Sequence, residues 1–383
     1  MTWSGRQETR VAVACPVADQ PMKLVLKVGS SSLTQQSGAI DQVMIERVVR
    51  QVDKWTDAGH QVLVVTSGAI SAGVAAAGMG TRPTDAVTLQ ALSAVGQSRL
   101  MRCYDDAFAA AGLLSGQVLL SPGDFFERQQ YLHARSTLDR LLSMGVVPVI
   151  NENDAVADDA IRFGDNDRIA ALVAQLMNAE VLVLLTDTEG LLTADPRLDE
   201  NASVISEILE VDQELEALAG GAGTERGSGG MASKLSAAKM AAWSGVRTVI
   251  AAASSIEDLD AALAGEPGTG TVVQPLHHRM PARKLWIAFA VRSEGTVVVD
   301  DGAAAALRRE SSSLLAVGVT SVEGAFAAGA AVDVAAADGT VFAKGLVRYD
   351  SDAVAAGAGR RSEDGLNPAN SEIINRDELV VLP

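Results

Sequence analysis

Cysteine is nearly absent from this chain of 383 residues, with Cys15 and Cys103 its two examples. Two thiols make no disulfide framework, and their scarcity points to a reducing, cytoplasmic setting. Histidine is also sparse at 4 residues, and aromatic residues make up 4%. No His, Cys or Ser triad is evident, and His277 and His278 are adjacent, a spacing that fits a linker better than a metal site. No apolar run reaches the roughly 18 residues that a membrane-spanning helix needs. Basic side chains are outnumbered, 31 Lys and Arg against 48 Asp and Glu, and the net charge of −17 argues against a surface built for nucleic acid. Residues 1–21 place Arg6 and Arg10 ahead of VAVACPVA, an apolar run broken by Pro16. That run is too short for an export signal, and a disordered extension is expected.

What remains is 48% hydrophobic and long enough for two domains. Over residues 22–280, buried-strand patterns at 22–29, in QVLVV after Gly59, and at 117–120, 146–150, 180–186 and 247–253 alternate with helical ones. The helical patterns fall at 41–58, where Val43, Val48, Val52 and Trp55 are spaced along one face and Gly59 caps the end. They recur at 85–112 as one or two helices, at 129–143, from near Asn166 to Asn178, and in MASKLSAAKMAAWSG. Such alternation predicts an α/β fold with a mostly parallel sheet sandwiched by helices. Past PLHHRMPARK the texture changes to short apolar runs with turns, predicting a small β-barrel-like domain over 281–383.

The polar residues collect where strands should end. NENDAVADDAIRFGDNDRI, from Asn151 to Ile169, follows the strand VVPVI and carries Asp154, Asn166 and Asp167. Ligands of open α/β sheets bind at that edge. An acidic solvated connection is the plain alternative, but alternating Asn and Asp can both donate to and accept from a zwitterion. Lys27 closes the first strand, either as a snorkelling cation or as a ligand for an anion. Ser67 begins an SGA turn whose N–H groups would face an anion at a helix start. Thr186 and Asp187 end another strand. The loop GGAGTERGSGG runs into a helix through Ser228, Gly229, Gly230, Met231, Ala232, Ser233 and Lys234. It is neither a P-loop nor a dinucleotide turn. Lys234 in a first helical turn is unfavourable unless an anion binds there.

Two lysines converging on one point suit phosphoryl transfer, which needs charge neutralisation more than covalent chemistry. Two cations also need a carboxylate between them, and Asp167 is the candidate. No dedicated metal cage is evident, which fits Mg²⁺ held mainly by phosphates and water.

The strings LVLKVGSSSL, VLVVTSGAISAG, VGQSRL, PVINENDAV, FGDND, LLTDTEGLLTADPR and GSGGMASK, in this order, closely resemble the bacterial glutamate 5-kinase family of the amino-acid kinase superfamily, whose C-terminal domain is of the PUA kind. The resemblance implies ATP-dependent phosphorylation of the γ-carboxylate of L-glutamate, the first step towards proline. It implies catalytic roles for Lys27, Asp167 and Lys234, and glutamate binding by Ser67, Asp154 and Asn166. ATP contacts would come from Lys27, Thr186, Asp187 and the run Ser228 to Lys234. It also suggests feedback inhibition by proline and a homo-oligomer. Three departures stand out: a long extension before Met22, Ser228 in place of Thr, and Ala316 in place of Pro. Other acceptors of the same superfamily chemistry are N-acetylglutamate, aspartate, carbamate and nucleoside monophosphates. RNA binding by the PUA-like segment is disfavoured, since Trp286 to Pro383 holds 8 basic and 14 acidic residues.

Overall fold

A computed structural model describes residues 20–35, 37–125, 127–156, 166–194, 199, 201–220, 230–276, 280–289, 291–309, 312–359 and 372–382. The expected extension over 1–21, the pair His277–His278, Cys15, Ser228 and Gly229 lie wholly or almost wholly outside the described residues. The chain divides into two compact units, Met1–Arg279 and Met280–Pro383.

The first unit contains strands β1 (Lys23–Lys27), β2 (Gln61–Val65), β3 (Leu114–Leu120), β4 (Val146–Glu152), β5 (Val181–Thr186), β6 (Glu207–Ile208), β7 (Arg247–Ala252) and β8 (Thr271–Val273). Its helices are α1 (Ser30–Leu33), α2 (Gln42–Asp57), α3 (Ala69–Ala76), α4 (Ala86–Ala110), α5 (Arg128–Ser143), α6 (Asn166–Leu176), α7 (Gln213–Gly220), α8 (Met231–Trp243) and α9 (Leu259–Ala264). The strands form one sheet in the order β3-β4-β2-β1-β5-β7-β8-β6. Pairing is parallel from β3 through to β7, antiparallel between β7 and β8, and parallel again between β8 and β6. The central strands β1, β4, β5 and β7 are buried almost throughout, as parallel strands covered on both faces must be. β1 pairs with β2 on one side and β5 on the other, so the strand order reverses beside it. In open sheets, that reversal opens a crevice at the carboxyl ends of the strands.

Local chemistry sets the helix ends. The Asp41 side chain accepts from the Met44 N–H at 3.1 Å and starts α2. Gly59, at φ 88°, ends it in a left-handed turn. The buried face of α2 is Met44, Ile45, Val48, Val49, Val52 and Trp55. Val43, expected on that face, is 65% exposed, because one residue of helix rotates it about 100° from Met44. The segment read as one or two helices is the single helix α4, capped by Asp85, whose side chain accepts from the Thr88 N–H at 2.9 Å.

Helices α3 and α4 meet backbone to backbone. A Cβ at Gly73 would fall 1.9 Å from the Leu92 carbonyl oxygen, and one at Gly96 would fall 1.8 Å from that of Ala69. This contact seats α4 beside the turn that leaves β2.

The second unit has strands β9 (Gly295–Val299), β10 (Leu314–Leu315), β11 (Val319–Glu323), β12 (Ala331–Ala335), β13 (Val341–Val347) and β14 (Glu372–Val381), with helices α10 (Ala282–Phe289), α11 (Asp301–Arg309) and α12 (Ser351–Gly357). Its strands form a sheet in the order β10-β14-β13-β12-β9-β11, antiparallel except for the β12–β9 pair. Val297, Val299, Leu307, Val332, Val334, Phe342 and Ile374 are among its core residues.

Gly96→Ala should lower stability by about 1–3 kcal/mol through overpacking, measured as a lower urea midpoint at unchanged slope. An unchanged midpoint would show that α3 and α4 have room to part.

Candidate active site

Each element that ends at the crevice delivers a polar group there. β1 ends in Lys27. β2 runs through Thr66 and Ser67 into Gly68, whose φ of 101° needs a residue without a Cβ before α3 begins. β4 ends in Asn151 and Glu152, followed by Asp154 in a 3-10 turn. α6 opens with Asn166 and Asp167, β5 ends at Thr186, and α8 opens at Met231 after Gly230.

Three of these groups meet. Asp167 Oδ1 lies 2.6 Å from Lys27 Nζ, and its Oδ2 lies 3.2 Å from Lys234 Nζ. The Ser233 hydroxyl also donates to Oδ2 at 3.2 Å. The three residues are 4%, 1% and 5% exposed for Lys27, Asp167 and Lys234, so solvent does little to screen the charges. Burial pushes the Asp167 carboxyl up, but the pull of Lys27 and Lys234 outweighs it and holds the group below its ordinary range. The carboxylate sits in the first turn of α6, which favours it, whereas Lys234 sits in the first turn of α8, which does not. The cluster carries one more positive than negative charge.

Beside it lies a cleft of about 300 Å³ lined by Ala69, Gln97, Gln117, Glu152 and Asp154 among others. Asp154 is 6% exposed, and its Oδ1 has no hydrogen-bond partner among the described residues. Burial raises its carboxyl to about 6, against a smaller opposing pull from Arg82. Asn166 Oδ1 accepts from the Glu152 N–H at 3.1 Å, which ties the α6 start to this cleft. Ser67 is buried at the mouth of α3, and the preceding Thr66 hydroxyl pairs with Tyr104 OH at 3.0 Å. Thr186 donates to Asp187 Oδ1 at 3.1 Å at the end of β5. Gly230, Met231 and Ala232 lead into Lys234 on α8, whereas Ser228 and Gly229 lie outside the described residues.

The sequence assigns no role to Gln97 or Gln117 and places Asn151 only as the start of the polar stretch, although all three belong to this region. The signal was present for Gln97: it lies on the buried stripe of α4 with Leu89, Ser93, Leu100, Tyr104 and Phe108, where a primary amide is out of place unless it has work to do. Among the described residues, no group of three or more His, Cys, Asp or Glu side chains is placed to hold a metal ion.

The sequence profile of the amino acid kinase family matches residues 22–252. The chain belongs to the amino acid kinase family. Residues 295–364 match the PUA domain. Over 365 residues it is 43% identical to a protein named glutamate 5-kinase from a Geobacter species, covering 94% of this chain and 97% of that one. It is similarly 42% identical over 381 residues to the glutamate 5-kinase of Moorella thermoacetica, covering 98% and 99%. The glutamate 5-kinase of Nocardia farcinica is 44% identical over 358 residues, covering 93% and 96%.

Asp154→Asn should stabilise the unliganded protein. Its folded-state value of about 6 exceeds the ordinary 3.8, so the native state favours the protonated form, and ionisation costs stability as pH rises through that value. The gain should be on the order of 1–2 kcal/mol near pH 8 and should shrink towards pH 5, read from paired urea midpoints. A gain that does not change with pH, or none, would contradict a carboxyl raised by burial.

Proposed function

We propose that this chain transfers the γ-phosphoryl group of ATP to the γ-carboxylate of L-glutamate, giving L-glutamyl 5-phosphate and ADP, the first step towards proline. The observation that carries this reading is the buried triad in which Asp167 holds Lys27 and Lys234 within 2.6 and 3.2 Å of its two oxygens. A glutamate γ-carboxylate oxygen attacks the γ-phosphorus as the bond to the β-bridging oxygen breaks, and ADP leaves with that electron pair. Negative charge builds on the bridging and equatorial oxygens, where two fixed ammonium groups are most effective in a dry site. No general base is required, because the attacking carboxylate is already ionised. Asp167 keeps the two cations together and aimed.

The acceptor would lie in the cleft beside the triad. Asp154 would take its ammonium group, Asn166 would add a polar contact, and the Ser67–Gly68 turn at the start of α3 would face its γ-carboxylate. The nucleotide would lie over Thr186, Asp187 and the run from Ser228 to Lys234. Mg²⁺, when bound, supplies further neutralisation of the phosphate oxygens. The described residues offer it no cage, so its ligands would be mainly phosphates and water. Proline, a zwitterion without a second carboxylate, would compete at or near the glutamate site, and the enzyme would act as a homo-oligomer in the cytoplasm. The balance of 8 basic to 14 acidic residues from Trp286 to Pro383 weighs against RNA as a partner.

ADP release by the purified protein should require both L-glutamate and Mg²⁺. In Lys234→Ala it should fall about 100- to 1,000-fold with the circular dichroism spectrum unchanged. Full activity in that variant, or a preference for N-acetylglutamate, aspartate, carbamate or a nucleoside monophosphate, would overturn the reading.

A further inference from the structure

A chain of amides leads from the end of β4 to Gln97 in the cleft wall, and its orientation is set from the backbone. The Glu152 N–H donates to Asn151 Oδ1 at 3.0 Å. Because that oxygen accepts, the other end of the Asn151 amide donates, and its Nδ2 reaches Gln97 Oε1 at 2.7 Å. Gln97 is thereby turned the same way, with its Nε2 left as a donor. That nitrogen is buried and has no hydrogen-bond partner among the described residues, in a side chain only 9% exposed. Gln97 and Asp154 both line the cleft, and each carries one buried polar atom without a partner among the described residues, the donor Nε2 and the acceptor Oδ1. Leaving both unpaired is costly. A ligand with a cationic and an anionic group on one carbon relieves both.

We propose that the Gln97 amide is a specificity-determining donor to the α-carboxylate of the acceptor, with Asp154 taking the neighbouring ammonium and Asn151 acting as the residue that positions Gln97. This inference rests on the proposed glutamate phosphorylation and deepens it. The γ-carboxylate must reach the Lys27–Asp167–Lys234 triad, which leaves the α end for the cleft wall. An α-carboxamide offers an N–H where the carboxylate offers a lone pair, so the wall discriminates glutamate from its α-amide, isoglutamine. Such selectivity comes from the unpaired donor in the wall, since the two molecules differ little in size.

The test is steady-state kinetics on wild type, Gln97→Met and Gln97→Glu, with L-glutamate and L-isoglutamine as acceptors and ATP varied separately. Gln97→Met keeps the length of the side chain but removes the donor. It should raise the KM for glutamate roughly 10- to 100-fold, the loss expected for a hydrogen bond to a charged group. The KM for ATP and kcat should stay within a factor of a few, which also shows that the variant is folded. Gln97→Glu still accepts from Asn151 but presents an acceptor to the ligand, and should move the preference from glutamate towards isoglutamine. Unchanged glutamate KM in both variants would overturn the proposal, as would a fall in kcat at constant KM. If wild type phosphorylates a different acceptor, the underlying functional reading fails, and that outcome is told apart before any variant is measured.

Discussion

One buried carboxylate with an ammonium group on each oxygen governs this molecule. Without Asp167, Lys27 and Lys234 would be two cations facing each other out of water, an arrangement whose desolvation cost the interior cannot absorb. With it, they are fixed within 2.6 and 3.2 Å of the same side chain and keep a net positive charge that still calls for an anion. Placement on helix starts adds to this balance. The dipole of α6 favours the carboxylate, and that of α8 disfavours the lysine, so an anionic ligand at the α8 start would relieve an existing strain.

The fold explains how residues up to 207 positions apart in sequence reach one crevice. Parallel strands all end on the same edge, and the order β4-β2-β1-β5 puts four of those ends side by side. The close packing of α3 on α4 through Gly73 and Gly96 then brings Gln97 against the end of β4, where the Asn151 amide meets it. Positive charge lies at the triad, while uncharged amides and Asp154, whose Oδ1 has no hydrogen-bond partner among the described residues, lie in the cleft. That gradient suits a phosphate at one end and an amino acid at the other.

Much of this could be read from residues alone. The alternation of apolar runs and helical spacing marks the parallel sheet, and Lys234 in a first helical turn is out of place there unless an anion binds. Lys27 is harder, since a lysine closing a strand can equally send its head to water; its 4% exposure and its contact with Asp167 exclude that placement. Val43 does not share the face of Val48, Val52 and Trp55 because it lies five residues before Val48, and the buried stripe begins at Met44. Gly96 is opaque for a different reason, and the buried stripe of α4 marks Gln97 as unusual without showing what it meets. Their roles come from contacts with Ala69 and Asn151, and no local pattern encodes a partner so far along the chain. In the second unit the turn-rich texture marked the strands, but short helices such as α10 and α12 went unread, being too brief to show a period.

The central claim is that both lysines act on the same transferring group. A crystal structure with ADP, Mg²⁺, an aluminium fluoride mimic of the transferring phosphoryl group and L-glutamate tests it most directly. The account predicts Lys27 Nζ and Lys234 Nζ both in hydrogen-bond contact with the mimic, with Asp167 still bridging them and the glutamate γ-carboxylate in line. A mimic bound away from the triad, or touched by neither lysine, would contradict it.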